Sequence, residues 1–190
     1  MPTDSRRGCR TLESIFEGSY TELKTIPADS GKLSKREDEK MARYMELDQS
    51  SQDLAWIWNV SGPVSSRVYS QRPDVMLVQH AINTLMAPLH LKDDRGADIT
   101  SYLTRDGYIG PKTNAAIAAY QRSLRSRGFL VKADGSVDPA SRSGWTSDGN
   151  AQFTIVYLNR DHRNIHGKMM EEKDFPELLQ KNLIANKGLR

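Results

Sequence analysis

Cysteine is nearly absent from this chain. Its 190 residues contain one, Cys9, so no intramolecular disulfide can staple the fold and stability has to come from packing. Long apolar runs are missing as well. A secretory leader needs an apolar core of roughly 7–15 residues. The stretch from Thr11 to Glu17, which follows Arg6, Arg7 and Arg10, is broken by charge. Nothing approaches the ~20 consecutive apolar residues of a membrane-spanning helix. The sequence as written therefore predicts no recognisable leader and no membrane span. A large excess of one charge is also lacking, and a net charge of +3 is too small to argue for nucleic acid by itself.

Motifs of catalysis are absent too. The chain contains no G-x-S-x-G elbow, no phosphate loop and no dinucleotide fingerprint. His162 and His166 stand at i, i+4, a usable metal-ligand spacing, but the glutamate that follows the first histidine in zinc peptidases is missing. They read as ordinary surface histidines, and no metal or other cofactor is expected. Glu13, Glu17, Glu171, Glu172 and Glu177 supply carboxylates, yet nothing in the sequence pairs them as glycoside cleavage requires. They read as solvated helix faces, and the chain is expected to be non-catalytic.

What is present centres on Arg105 to Leu124. Asp106-Gly107 suits a tight turn, because glycine tolerates positive φ and aspartate bonds its own backbone. Gly110-Pro111 suits a helix start, where the missing proline N–H leaves nothing unpaired. Ala116, Ile117, Tyr120 and Leu124 then recur at helical spacing. The pattern returns at Asp134-Gly135-Ser136-Val137-Asp138-Pro139-Ala140-Ser141, matching Asp106 to Thr113 as D-G-x-[IV]-x-P-x-[ST]. Upstream, Val75, Val78, Ile82 and Leu85 make another helical stripe, with Gln79 directly after Val78.

These blocks resemble the small three-helix peptidoglycan-binding domains appended to cell-wall hydrolases. Val75, Val78, Gln79 and Ile82 fit the first block of that pattern; Asp106, Gly107, Ile109, Gly110, Thr113, Ala116, Ile117, Tyr120 and Gln121 fit the second. Ala133, Asp134, Gly135, Val137 and Pro139 fit the third, although Asp138 replaces the usual glycine and the expected Thr-Trp is displaced to Ser143-Gly144-Trp145. The insert between the first two blocks, Met86 to Thr104, is long for the family. The resemblance covers about residues 73 to 146. It implies peptidoglycan or muropeptide fragments as partners and action at the cell wall or periplasm, or in a virion.

The candidate ligand-binding residues are Gln79, Tyr108, Lys112, Gln121 and Arg125. Tyr108 is exposed by its place in a turn, the two amides stand beside the apolar stripes, and the basic side chains suit carboxylates of stem peptides. The runner-up to wall recognition is a protein-interaction component of a phage or secretion assembly. A wall hydrolase with unrecognised catalytic residues is weaker. The basic face would also suit nucleic acid, but aromatics for base stacking are thin, with Tyr108, Tyr120 and Phe129 only. Nucleic acid is therefore an unlikely partner.

Outside this core, residues 1–33 read as partly extended, and 34–62 as a helix over about 35–47 followed by a strand over Leu54–Val60. The binding-like domain is placed at 63–146. Residues 147–190 read as a second strand over Phe153–Leu158 followed by a helix running from Asp161 to Arg190 and buried through Leu178, Leu179, Leu183 and Ile184. Two lone strands would each leave an open edge, so they are expected to pair with each other, antiparallel. The fold class expected is mainly α with a minor two-stranded β element.

Overall fold

A computed structural model describes residues 42–48 and 54–187. The fold is mainly α. Strands β1 (Arg43–Glu46) and β2 (Trp56–Asn59) pair antiparallel, with Tyr44 opposite Trp58 and Glu46 opposite Trp56. Helices α1 (Arg72–Met86), α2 (Pro111–Ser126), α3 (Thr154–His166) and α4 (Glu177–Lys187) follow. One turn of 3-10 helix, Glu172–Asp174, lies between the last two.

α1 is the hub, packing against α2, α3 and α4. Its residues from Pro73 to Ile82 are all buried, which is what a helix covered on every side requires. α2 is amphipathic as its stripe predicts. Ala116, Ile117, Tyr120 and Leu124 are at most 1% exposed, while Lys112, Arg122 and Arg125 face water. The Tyr120 hydroxyl donates to Asp161 Oδ2 at 2.8 Å, and Arg127 holds the same carboxylate with both terminal nitrogens, at 2.6 and 3.2 Å. That triad, with Tyr120 and Asp161 buried and Arg127 exposed at its rim, ties α2 to α3.

Buried side-chain amides recur as the device that joins elements. An amide carries donors and an acceptor side by side, so it can satisfy a backbone N–H and C=O together, much as a neighbouring strand would. Asn83 pins Leu103 to α1 in this way (2.9 and 2.7 Å), and Asn59 of β2 pins Ala140 (2.9 and 2.9 Å). Asn159 of α3 pins Trp58 (2.9 and 2.9 Å).

The two glutamines clamp the two Asp-Gly turns. Gln79 accepts from Gly107 N at 3.1 Å and donates to Tyr108 O, Asp106 Oδ1 and Thr113 Oγ1 at 2.9, 3.1 and 3.3 Å. Gln121 accepts from Gly135 N at 2.9 Å and donates to Ser136 O and Thr154 Oγ1 at 2.8 and 3.1 Å. Each turn is closed by its own aspartate, which accepts from the N–H two residues on at 2.9 Å. Helix, clamped turn and next helix thus repeat: α1 to α2, then α2 to α3.

Several expectations are corrected. Phe153–Leu158 is not a strand; Thr154 begins α3, and Ile155 to Asn159 are all buried. A short apolar run enclosed on all sides has no polar face to reveal its period, so strand and helix look alike in sequence. β2 therefore pairs with β1 and not with that segment. Arg43–Glu46 lies in β1 where the sequence predicts a helix over 35–47; positions 35–41 fall outside the described residues. The helix expected from Asp161 onward is interrupted, because Gly167 adopts φ 69° and ends α3, and Leu178 is 42% exposed although Leu179 and Leu183 are buried. The counterpart of Thr113 in the second repeat is Thr154, not Ser141, because a loop over 138–153 separates the second turn from its helix. Ser141 is exposed and bonds within that loop.

Candidate functional site

The residues singled out from sequence do not converge. Gln79 and Gln121 are each 1% exposed with their amides fully engaged by the turns, which leaves neither free for a ligand. Tyr108 is 61% exposed, as its turn position predicts, and the Arg72 guanidinium lies over its ring at 4.6 Å. Lys112 and Arg125 both face water but stand at opposite ends of α2, roughly 20 Å apart at 1.5 Å rise per residue.

A groove lies along the other side of α1. Its near wall is the C-terminal half of that helix, and its far wall is the extended segment leading to the first Asp-Gly turn. The cavity is about 670 Å³ and is lined by His80, Asn83, Thr84, Tyr102, Arg105 and His166, among others. A smaller hollow of about 260 Å³ shares Ala87 and Tyr102 with it and is floored by Met86, Leu91 and Ile99. Tyr102, 66% exposed, is the common wall.

The Met86–Thr104 insert builds this groove. The Asp93 carboxylate folds it by accepting from Arg95 N and Ala97 N at 2.9 Å each, and Asn83 then straps Leu103 along α1. Arg105 is thereby carried over α1 and comes within 3.3 Å of His80 Nδ1. A guanidinium can only donate, so Nδ1 accepts, and the neutral ring carries its proton on Nε2. That nitrogen is buried without a hydrogen-bond partner among the described residues.

Burial foremost, with the charges of Arg105 and His162, brings the His80 pKa down to about 4, against an opposing effect of Asp174. His80 is therefore uncharged at neutral pH. Its ring packs edge-on to Phe175, with 5.2 Å between centroids.

His162 and His166 do share one face of α3, with ring centroids 4.5 Å apart. Each is tied to a backbone carbonyl: His162 Nδ1 to Lys168 O and His166 Nε2 to Thr84 O, both at 3.1 Å. A carbonyl can only accept, so those nitrogens carry protons. Burial and the neighbouring His166 hold the His162 pKa below its ordinary value. Among the described residues no three His, Cys, Asp or Glu side chains group so as to hold a metal ion. No described helix is long and apolar enough to cross a membrane.

Among the described residues the main groove thus offers one permanent cation, an exposed phenol and imidazole edges with no carboxylate, while the adjoining hollow adds an apolar floor and Asp98. Such a lining suits a ligand with an anionic group beside small apolar ones. Sequence reasoning passed over Tyr102 and counted Arg105 only as part of a general basic face. The available signal was the long insert itself, which is followed directly by Arg105 and the Asp-Gly turn. Comparison with protein families, curated proteins and solved structures finds no match for this chain.

Proposed function

We propose that the protein recognises bacterial cell-wall peptidoglycan without cleaving it, through a peptidoglycan-binding-like unit formed by α1, α2, α3 and their two clamped turns. The observation that carries this reading is the groove of Tyr102 and Arg105, placed directly against the block that resembles the wall-binding pattern. Arg105 would take a carboxylate of the stem peptide, Tyr102 would present a flat face to a sugar or alanyl methyl group, and the Leu91–Ile99 hollow would hold the small apolar part. Action at the wall or periplasm, or in a virion, follows from the same reading.

Sedimentation with isolated sacculi tests it. The wild-type chain is expected in the pellet. Arg105→Gln and Tyr102→Ala, both at exposed positions, are expected in the supernatant while still folded at pH 7. Folded wild-type protein that stays in the supernatant across several wall chemistries would end this reading in favour of a protein-interaction component of a phage or secretion assembly. Sacculi that lose turbidity with added protein would end the non-catalytic part of it.

A further inference from the structure

Among the described residues no strand pairs with the outer edge of β1, and hydrogen-bond parity identifies the groups along it. In an antiparallel pair, opposed residues alternate between those that exchange backbone hydrogen bonds and those whose N–H and C=O point away from the partner strand. Trp58 is of the second kind, because its N–H and C=O are both taken by the Asn159 amide at 2.9 Å. Tyr44, directly opposite, therefore turns its own N–H and C=O away from β2, and Glu46 does the same two residues on. Neighbouring bonds agree. Leu47 N, of the inward set, donates to Ala55 O at 3.0 Å, while Asp48 N, of the outward set, donates to Arg142 O at 2.9 Å.

Beyond that single bond, segment 140–142 diverges from β1. A groove of about 580 Å³ opens between them, lined by Tyr44, Glu46, Ala140 and Arg142 among others. Its far wall is anchored, since the Asn59 amide holds Ala140 by two bonds of 2.9 Å. On the outer edge of β2 the Asn159 amide already takes both backbone groups of Trp58, which disfavours a further strand on that side. Among the described residues no backbone group pairs with Tyr44 or Glu46 across this groove.

An N–H and a C=O from each of two residues, one strand repeat apart, recognise an extended peptide backbone. Charge narrows the class. Among the described lining residues, exposed Arg43, whose charge also acts on Asp74, and exposed Arg142 stand against a single acid, Glu46, which favours acidic side chains. Tyr44, stacked on Trp56 at 4.4 Å between ring centroids, adds a rigid aromatic face beside the edge. The geometry points to the outer edge of β1 as the docking site for an extended, acidic peptide segment of a protein partner, added as a third strand. This surface is separate from the Tyr102–Arg105 groove and does not depend on wall binding.

The test uses the full chain and an end-capped decapeptide of alternating Glu and Thr. The same peptide N-methylated at every residue and a Lys–Thr counterpart serve as comparisons. Addition of the acidic peptide is expected to slow amide exchange of Tyr44 and Glu46 about tenfold or more, roughly the worth of one net hydrogen bond. The N-methylated peptide should have no effect, and the Lys–Thr peptide should bind more weakly. Glu46→Pro removes one outward donor at a position where an edge strand tolerates proline, and should weaken binding about tenfold with little change in unfolding midpoint. If that variant fails to fold, the comparison of plain and N-methylated peptides decides alone. Unchanged exchange at millimolar peptide, equal binding of the N-methylated peptide, or pairing of β1 with a second copy that excludes the peptide would each overturn the proposal.

Discussion

Acid should loosen this protein through His80, against an opposing effect of Asp74, whose carboxyl is raised above its ordinary 3.8 by burial. The ring is 5% exposed and its pKa falls from 6.5 to about 4 on folding. Between those values the unfolded chain binds a proton that the folded chain does not, so stability drops as pH falls. It is complete above about 6.5 and levels off below about 4. The shift corresponds to about 3 kcal/mol at about 1.4 kcal/mol per unit, a large share of the 5–15 kcal/mol of a typical domain. His162, also lowered by burial, acts in the same direction. Asp106 and Asp134 lie below the ordinary 3.8, so their losses fall at lower pH. Urea unfolding followed by tryptophan fluorescence from pH 7 to 4 should show the loss. In His80→Asn the slope over that window should shrink by most of this amount, and in Arg105→Gln by a smaller part. Coincident pH profiles for wild type and His80→Asn would refute the reasoning.

Other outcomes follow from the same contacts. Gln79→Ala and Gln121→Ala each strand enclosed backbone groups at a turn and should cost about 2–4 kcal/mol in urea unfolding, from roughly 1–2 kcal/mol per lost partner. Gly107 and Gly135 both have φ 75°, but a Cβ on Gly107 would meet Arg72 O at 2.8 Å, whereas nothing lies within 4 Å of one on Gly135. Gly107→Ala should therefore lower the melting temperature well beyond Gly135→Ala, whose cost is the left-handed conformation alone, about 1–2 kcal/mol. Tyr120→Phe removes one hydrogen bond to Asp161 and should cost about 1–1.5 kcal/mol. Asp161→Ala leaves the buried Tyr120 hydroxyl without its partner, while exposed Arg127 can turn to water, and should cost about 1–3 kcal/mol. Tyr108→Ala, at an exposed turn position, should stay within about 0.5 kcal/mol of wild type.

The helical core was legible because α1 and α2 carry their apolar residues at helical spacing, and the turns because Asp-Gly announces positive φ. Tyr120 falls on the apolar stripe of α2 and is fully enclosed. The function of Gln79 and Gln121 was not legible. A glutamine beside an apolar stripe looks the same in sequence whether it meets solvent or a turn 28 or 14 residues away. β1 was hidden for a related reason: four residues rich in charge and Met become a strand only because β2 is there to pair with them. The groove was hidden because its walls come from α1, the insert and the end of α3, three stretches with no local signature in common.

The central claim is that the Tyr102–Arg105 groove takes a wall fragment. An NMR titration of the labelled chain with a purified muropeptide bearing a free stem-peptide carboxylate tests it most directly. Shifts should cluster on His80, Thr84, Tyr102, Arg105 and His166 and vanish in Arg105→Gln. Saturating muropeptide that moves no resonance of the groove, or moves only those of α2 around Lys112 and Arg125, would contradict it.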